Sequence, residues 1–123
     1  MTLDPTQQMT EICPAEAIDV ETGVAALVDG EAVAVFRTYA GEVFALSNYD
    51  PFSHASVLSR GIVGTRTVNG EPVDFVASPI YKDAFDLRTG ACLDQPEVSI
   101  PAYEVELREG VVYVGSAKAA IKE

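Results

Sequence analysis

The sequence predicts an all-β domain made of many short strands. From Gly23 onward, short runs rich in apolar and β-branched residues alternate with turn residues, which is the pattern of a small β-sandwich or barrel. No segment of convincing length repeats its apolar residues with the period of a helix. The chain has 123 residues, 48% of them hydrophobic, which is enough to bury a core. Residues 1–123 are therefore expected to form a single domain.

The N-terminal region is predicted to lack regular structure. Residues 1–11 are polar and show no periodicity, as is common where a chain end is not held by the fold. Cys13-Pro14 is predicted to open a short loop or turn, and the pattern of residues 15–21 is ambiguous. The first strand is therefore expected after residue 21.

Two tight hairpins anchor the predicted strands. Asp29-Gly30 joins Val24–Val28 to Ala32–Tyr39, and Glu109-Gly110 joins the last two strands, because such dipeptides adopt the positive φ that two-residue turns need. The other predicted strands are Val43–Ser47, Val73–Ala77, Ala84–Leu87, Val98–Ile100, Tyr103–Arg108 and Val111–Val114. A short helical turn is predicted at residues 117–121.

The charge distribution excludes several classes of partner. The net charge of −11 argues against nucleic acids and anionic membrane surfaces, because binding to phosphates needs clustered Lys and Arg. Residues 50–90 hold five acidic and four basic residues, whereas the rest of the chain holds fourteen and four. Two interpretations stay open. The acidic part serves solubility, or the near-neutral part faces a protein partner.

The chain is expected to stay in the cytoplasm. It has no run of about 18 uncharged apolar residues that would span a membrane, and its N-terminus lacks the basic start and apolar run of a signal peptide. Cys13 and Cys92 are its two cysteines. In a cytosolic protein we expect both to be reduced and partly buried, with a disulfide as the alternative.

Two loops carry the most distinctive pattern. The first reads Asn48-Tyr49-Asp50-Pro51-Phe52, and the second reads Ser78-Pro79-Ile80-Tyr81, followed by Phe85-Asp86-Leu87-Arg88-Thr89-Gly90. Together they resemble a Rieske [2Fe–2S] domain, whose loops carry Cys-x-His and Cys-x-x-His before a Phe-Asp-x-x-x-Gly hairpin. Asp50 and Phe52 occupy the first pair of ligand positions, and Ser78 and Tyr81 occupy the second. A Rieske cluster needs two Cys and two His, so a chain with one histidine is predicted to bind no cluster and no other metal.

Loops of this kind without any ligand resemble those of the small subunit of assimilatory NAD(P)H-dependent nitrite reductase. The resemblance runs from Ile12 to Val114 and rests on residues 48–61 and 77–93. It implies a Rieske-like fold, with a basal β-sandwich and a smaller sub-sheet carrying residues 50–90. It also implies a non-catalytic subunit. Its large-subunit partner would hold FAD, an iron–sulfur cluster and sirohaem, and would reduce nitrite to ammonia with electrons from NAD(P)H.

Without a metal, the two loops need another source of order, because each fixed residue costs about 1–2 kcal/mol of backbone entropy. We expect Asp50, Phe52, Ser78 and Tyr81 to converge as a polar and aromatic plug. The two rings would pack together in the vacated volume, and Asp50 would accept backbone hydrogen bonds in an Asx-type turn. The alternative is that the loops diverged and face solvent.

A candidate contact surface lies just after the first loop. Arg60 stands among apolar and small residues, and arginine is enriched at protein interfaces. Exposed Val57, Leu58 and Ile62 around Arg60, together with Lys82 of the near-neutral region, would form a contact surface for a partner. The alternative is that these apolar residues pack beneath the loop and that Arg60 forms a surface ion pair.

The remaining polar residues indicate no catalytic site. His54 is expected to be a surface or hydrogen-bonded residue, and Asp86 is expected to be a turn residue of its hairpin. The sequence shows no Ser–His–acid arrangement and no nucleotide-binding motif. Two other functions stay open beside the nitrite reductase subunit. One is a Rieske-type ferredoxin of another oxidoreductase, for example serving a ring-hydroxylating dioxygenase, and the other is a free-standing protein-binding module.

Overall fold

The computed structural model describes residues 9–118, and nearly all of their regular structure is β. The strands are β1 (Thr10–Pro14), β2 (Thr22–Val28), β3 (Glu31–Arg37), β4 (Val43–Ser47), β5 (Tyr49–Asp50), β6 (Ala55–Ser56), β7 (Ile62–Val68), β8 (Glu71–Ala77), β9 (Ala84–Asp86), β10 (Ala102–Arg108) and β11 (Val111–Ala117). Short 3₁₀ turns cover Ala15–Ala17 and Leu58–Arg60. Within the described range, no helix is long and apolar enough to cross a membrane. The all-β prediction is confirmed.

Six strands form one antiparallel sheet in the order β1-β11-β10-β4-β3-β2. Each of these strands contributes to the same apolar cluster, here called the basal core, with Ile12 of β1 and Val105 of β10 at its margin. The sheet therefore folds over on itself and encloses this cluster as a sandwich does. The buried members of the basal core are Ile18, Val28, Val33, Val35, Val43, Ala45, Val112 and Val114.

A smaller lobe lies on the other face of this sheet. It contains the three-stranded sheet β7-β8-β9 and the two-stranded pair β5-β6. Its apolar cluster, the lobe core, comprises Ala34, Phe36, Leu46, Leu58, Val63, Val76, Phe85, Leu87, Cys92, Ile100 and Ala102. Strand β3 supplies both clusters, because Val33 and Val35 face the basal core while Ala34 and Phe36 face the lobe core. The predicted Rieske-like arrangement of a basal sandwich and a smaller sub-sheet is confirmed.

The two cysteines belong to different parts of this structure. Cys13 borders the basal core and is partly buried, whereas Cys92 is buried in the lobe core. Both thiols are free. Their burial agrees with the prediction for ordinary core cysteines, and their positions on opposite faces of the basal sheet do not fit the alternative of a disulfide.

Three hairpins turn on a dipeptide that ends in glycine. Asp29-Gly30 has φ of 51° and 80°, and Glu109-Gly110 has φ of 50° and 81°, which confirms both predicted hairpins. Asn69-Gly70 has the same geometry, with φ of 52° and 82°, and joins β7 to β8. Strand β7 is absent from the predicted strands, although Asn-Gly between two apolar runs is a strong hairpin signal.

The prediction for the N-terminal region is wrong within the described residues. Residues 10–14 form β1, which pairs with β11 at the edge of the basal sheet, in place of a loose segment and a turn. The pairing shifts register between Glu11 and Cys13, so this strand lacks the regular alternation that reveals a strand in sequence. Pro14 is tolerated because it stands at the end of an edge strand. Residues 1–8 lie outside the described residues.

The segment Val98–Ile100 does not form the predicted strand. It runs beside residues 90–92, which follow β9: the Cys92 N–H donates to the Val98 carbonyl and the Ile100 N–H donates to the Gly90 carbonyl, both at 2.9 Å. Its apolar residues reflect burial against this loop, since Ile100 belongs to the lobe core. Of the predicted turn at 117–121, Ala117 instead ends β11, and residues 119–121 lie outside the described residues.

Candidate functional site

The first loop is a five-residue turn from Asp50 to His54. The backbone N–H of His54 donates to the Asp50 carbonyl oxygen at 2.8 Å, and that of Phe52 donates to the Asp50 carboxylate at 2.9 Å. His54 has a φ of 59°, the left-handed conformation that closes the turn. The predicted Asx-type turn at Asp50 is therefore present. Pro51 suits it because the fixed φ of proline fits the second position of such a turn.

The second loop repeats this turn from Ser78 to Lys82. The Lys82 N–H donates to the Ser78 carbonyl at 3.0 Å, and the Ile80 N–H donates to Ser78 Oγ at 3.2 Å. Lys82 has a φ of 66°. Pro79 follows the first residue here, as Pro51 does in the first loop. Each loop therefore holds its own shape through local hydrogen bonds.

The hairpin that follows is a third copy of the same turn. The Gly90 N–H donates to the Asp86 carbonyl, and the Arg88 N–H donates to the Asp86 carboxylate, both at 2.8 Å. Gly90 has a φ of 82°. The prediction that Asp86 is a turn residue is confirmed. All three turns share a side-chain acceptor at the first residue and a positive φ at the fifth.

Asp50 and Ser78 join the first two turns to each other. The Ser78 hydroxyl donates to Asp50 Oδ2 at 2.5 Å, and the Ser53 hydroxyl donates to the same oxygen at 2.8 Å. Asp50 has no exposed surface. Its burial disfavours the charged form, but hydrogen bonds from Ser78, the Phe52 N–H and Ser53 outweigh this and hold the pKa of Asp50 below its ordinary value. The polar half of the expected plug is thus present.

The side chains at the four ligand positions do not fit a Rieske cluster. Such a cluster needs two thiolates and two imidazoles, and these positions carry a carboxylate, a phenyl ring, a hydroxyl and a phenol. The hydrogen bond between Asp50 and Ser78 also closes the gap that a two-iron cluster would have to span. In this chain, hydrogen bonds join the loops where a Rieske domain uses metal–ligand bonds.

The aromatic half of the expected plug is wrong. Tyr81 is 63% exposed, whereas Phe52 is partly buried and its ring centroid lies 6.1 Å from that of Phe85. Among the ring pairs of residues 9–118, none joins Phe52 to Tyr81. Phe85 pairs with buried Val76 across β8 and β9, so strand alternation turns its ring inward. The spacing of residues within the two loops does not reveal this pairing of β8 with β9, so it could not predict that Phe85 packs on Phe52.

Asn48 organises the first loop and is missing from the predicted site. Its amide nitrogen donates to the Ser56 carbonyl at 3.3 Å, and its amide oxygen accepts from the Ser59 N–H at 2.7 Å. Its own carbonyl accepts from the Leu58 N–H at 3.1 Å. Asn48 is buried, so these bonds satisfy a polar side chain that has lost water. A polar amide directly after an apolar strand is the sequence signal for this role.

The predicted contact surface around Arg60 forms only in part. Leu58 contradicts the prediction, because it has no exposed surface and packs in the lobe core. Val57 is half-buried, whereas Arg60 and Lys82 are exposed. Ile62 is also exposed. The role of the exposed residues as partner contacts stays a prediction.

His54 lies on the surface with a hydrogen-bonding partner, as expected. The hydroxyl of Tyr49 and Nδ1 of His54 lie 2.9 Å apart, and the two rings meet edge to face. Because Tyr49 is itself exposed, this pair covers the outer side of the first turn.

A second polar cluster follows the second loop. Possible ligand atoms of Asp83, Cys92 and Asp94 lie within 4.8 Å of one another. Asp94 is already engaged, since one of its oxygens pairs with Arg66 at 3.3 Å and the other accepts from the Ala84 N–H at 2.9 Å. Burial raises the pKa of the Cys92 thiol, which disfavours the thiolate that a metal would need. These contacts connect Asp94 to β7 and to the start of β9.

Comparison with known proteins agrees with this structure. The Rieske-like [2Fe-2S] domain family matches residues 8–115. The chain is 44% identical over 106 residues to the nitrite reductase (NADH) small subunit of Escherichia coli (strain K12), a match that covers 85% of this chain and 94% of the relative. The NMR structure of the E. coli protein NirD is 42% identical, with a TM-score of 0.76, and the match covers 87% of this chain and 94% of that one.

A third relative differs in its organisation. The nitrite reductase [NAD(P)H] large subunit of Klebsiella oxytoca is 38% identical to this chain over 112 residues, which is 91% of this chain and 11% of that one. The family match spans most of the chain, and the small-subunit relative is matched over nearly its whole length. The chain therefore belongs to the Rieske-like [2Fe-2S] domain family and, within it, to the small subunits of nitrite reductase.

Proposed function

We propose that this chain is the non-catalytic small subunit of an assimilatory NAD(P)H-dependent nitrite reductase and acts in the cytoplasm as a structural component of that enzyme. The observation that carries the proposal is the hydrogen bond between Asp50 and Ser78. At the positions where a Rieske domain presents a redox metal, this fold presents a carboxylate bound to a hydroxyl. The loops keep their arrangement while the electron carrier is replaced, which favours a role in assembly.

The Klebsiella oxytoca relative supports a large subunit as the partner. In that protein, a region similar to this chain is covalently part of the large subunit. A domain that is fused in one protein and separate in another is expected to bind where the fusion holds it, because covalent linkage substitutes a high local concentration for affinity. We therefore expect one copy of this chain to bind one large subunit.

The large subunit would carry the chemistry. The family resemblance implies FAD, an iron–sulfur cluster and sirohaem in that subunit, with electrons passing from NAD(P)H to nitrite and yielding ammonia. This chain would contribute binding energy, either by stabilising the assembled enzyme or by holding its redox domains in the arrangement that electron transfer needs.

The test is nitrite-dependent oxidation of NAD(P)H by the large subunit, measured with and without this chain, alongside size-exclusion chromatography of the mixture. Co-elution as a one-to-one complex, with a higher rate or longer-lived activity, supports the proposal. The same chain after irreversible heat unfolding serves as the control for added protein. Separate elution together with an unchanged rate would contradict the proposal.

The same purified proteins also test the two alternative functions. A Rieske-type ferredoxin would bind iron and absorb visible light after anaerobic reconstitution with iron and sulfide, so colourless and iron-free protein counts against it. A free-standing binding module is favoured if the chain binds no sirohaem–flavin reductase and binds another protein instead.

A further inference from the structure

An exposed aromatic and apolar surface covers the outer side of the two linked turns. It consists of five side chains and is called the tip surface here: Tyr49, His54, Ile80, Tyr81 and Lys82. Tyr49 is 42% exposed, Ile80 is 47% exposed and Tyr81 is 63% exposed. Large apolar groups gathered in one place on a surface are typical of a protein-binding site.

The two turns that carry these side chains are tied together. Tyr49 directly precedes Asp50 in the chain, and its hydroxyl lies 2.9 Å from Nδ1 of His54. Ser78 donates to Asp50 and also accepts from the Ile80 N–H at 3.2 Å. The backbone under the surface is therefore fixed before any partner arrives, which lowers the entropy lost on binding.

The charge of the tip differs from that of the rest of the molecule. Residues 48–62 and 77–83 contain two acidic residues, Asp50, which is fully buried, and Asp83, which is partly buried. The exposed charged residues of these segments are Arg60 and Lys82. The chain as a whole has a net charge of −11, so the tip presents aromatic and cationic groups on an otherwise anionic protein. Such an arrangement orients a protein toward a partner whose surface carries carboxylates.

We propose that the tip surface is the face through which this chain binds the large subunit, an inference that rests on the function proposed above. The loops that would hold a metal in a Rieske domain serve here as a preformed binding edge. The counterpart is an apolar depression that covers Ile80 and Tyr81, with carboxylates at its margin facing Lys82. A second copy of this chain is disfavoured at the same face, because two tips would place like charges together.

The experiment measures the dissociation constant of this chain for the large subunit with tip variants and a matched control. The test variant carries Ile80→Ser and Tyr81→Ser. The control is Tyr39→Ser, since Tyr39 is 80% exposed and lies in the turn between β3 and β4, at the opposite end of β4 from the first loop. We expect the double variant to raise the dissociation constant at least about tenfold and the control to change it less than about twofold.

A third variant, Lys82→Glu, tests the charge. It should slow association, and the effect should weaken as salt is added, because exposed charges steer encounter and are screened. If the double variant melts at a lower temperature than the wild type, the binding of Lys82→Glu tests the proposed docking face in its place.

Three different results would contradict the proposal that the tip surface binds the large subunit. If the wild-type chain binds and both kinds of tip variant bind as tightly, the contact lies elsewhere and the proposed function stands. If the wild-type chain instead forms a dimer that the tip variants abolish, the face belongs to a second copy. Absence of any binding by the wild-type chain would remove the proposed function and this inference together.

Discussion

The turn at Asp50 and the turn at Asp86 have the same backbone and different surroundings. In both, the first residue accepts an N–H from the third through its carboxylate, and the fifth residue has a positive φ. Asp50 is buried and bound to Ser78 of the neighbouring turn, whereas Asp86 caps its own turn. The fifth residue is His54 in the first turn, with its side chain in solvent, and Gly90 in the other.

The comparison shows that the five residues of the turn determine its backbone shape, whereas the surrounding elements determine the contacts of its side chains. The shape follows from five residues and needs no metal, since it recurs three times with different side chains. The neighbours determine which atom the first side chain binds and whether a side chain fits at the fifth position. The role of a cluster in joining two turns is therefore filled by one hydroxyl and one carboxylate.

The largest expected effect concerns the fifth position of the Asp86 turn. A Cβ at Gly90 would lie 2.0 Å from the Ile100 carbonyl oxygen, and φ there is 82°. Gly90→Ala should lower the free energy of unfolding by about 3–5 kcal/mol, because it combines a backbone clash with a left-handed conformation. Urea denaturation checks this. Gly30→Ala is the control, since Gly30 has a φ of 80° and open space around it, and it should cost about 1 kcal/mol. Equal losses would contradict the steric account.

The next prediction compares the aspartates at the first positions of the two turns. Asp50→Ala should lower the free energy of unfolding by about 3 kcal/mol, because it leaves a buried hydroxyl and a backbone N–H without their acceptor. Asp86→Ala removes a single turn-capping contact and should cost about 1 kcal/mol. Both are measured by urea denaturation. A loss at Asp86 as large as that at Asp50 would show that the link between the turns contributes little.

The third effect is a loss of stability in acid. Because hydrogen bonds hold the pKa of Asp50 below its ordinary value, its contribution is present in full above the unfolded-state pKa and disappears as the pH falls through the folded-state pKa. The difference in unfolding free energy between wild type and Asp50→Asn should stay constant from about pH 7 to about pH 5 and shrink below about pH 4. A difference that persists unchanged to about pH 2 would exclude Asp50 as its source.

The smallest effect concerns the fifth position at the tip. Lys82 has a φ of 66°, so Lys82→Gly relieves strain while adding freedom to the unfolded chain, and we expect a gain in unfolding free energy of up to about 1 kcal/mol. Tyr81→Gly, at the preceding exposed residue, should instead lose about 0.5–1 kcal/mol. Thermal and urea unfolding of the two variants measure these changes. A change of the same sign in both unfolding free energies would contradict this account of Lys82.

The turns of this molecule are predictable from sequence because their cause is local. Asp29-Gly30 and Glu109-Gly110 adopt positive φ for reasons that lie within the dipeptide itself. The same logic applies to Asn69-Gly70 and would have located β7. The five-residue turns at Asp50 and Ser78 can be predicted in the same way. Each begins with a side chain that can accept a hydrogen bond, and a proline follows it.

The remaining errors have causes that are distant in sequence. β1 exists because β11 offers it an edge, a partner about a hundred residues away along the chain. The ring that packs on Phe52 is that of Phe85 because β9 pairs with β8, which no spacing within the loop reveals. Leu58 is buried because Asn48 pins the segment that carries it. Each error concerns a strand or a side chain whose surroundings are made by a distant part of the chain.

Strand β3 connects the two cores, and this has a consequence for how the molecule opens. Residues 33–36 have no exposed surface, and alternate residues serve the basal core and the lobe core. Neither cluster can be exposed to water without uncovering part of the other, so the chain is expected to unfold as one cooperative unit. The amides of β3 should exchange hydrogen only through global unfolding. A lobe that shares a strand with the basal core in this way is held in place by apolar packing.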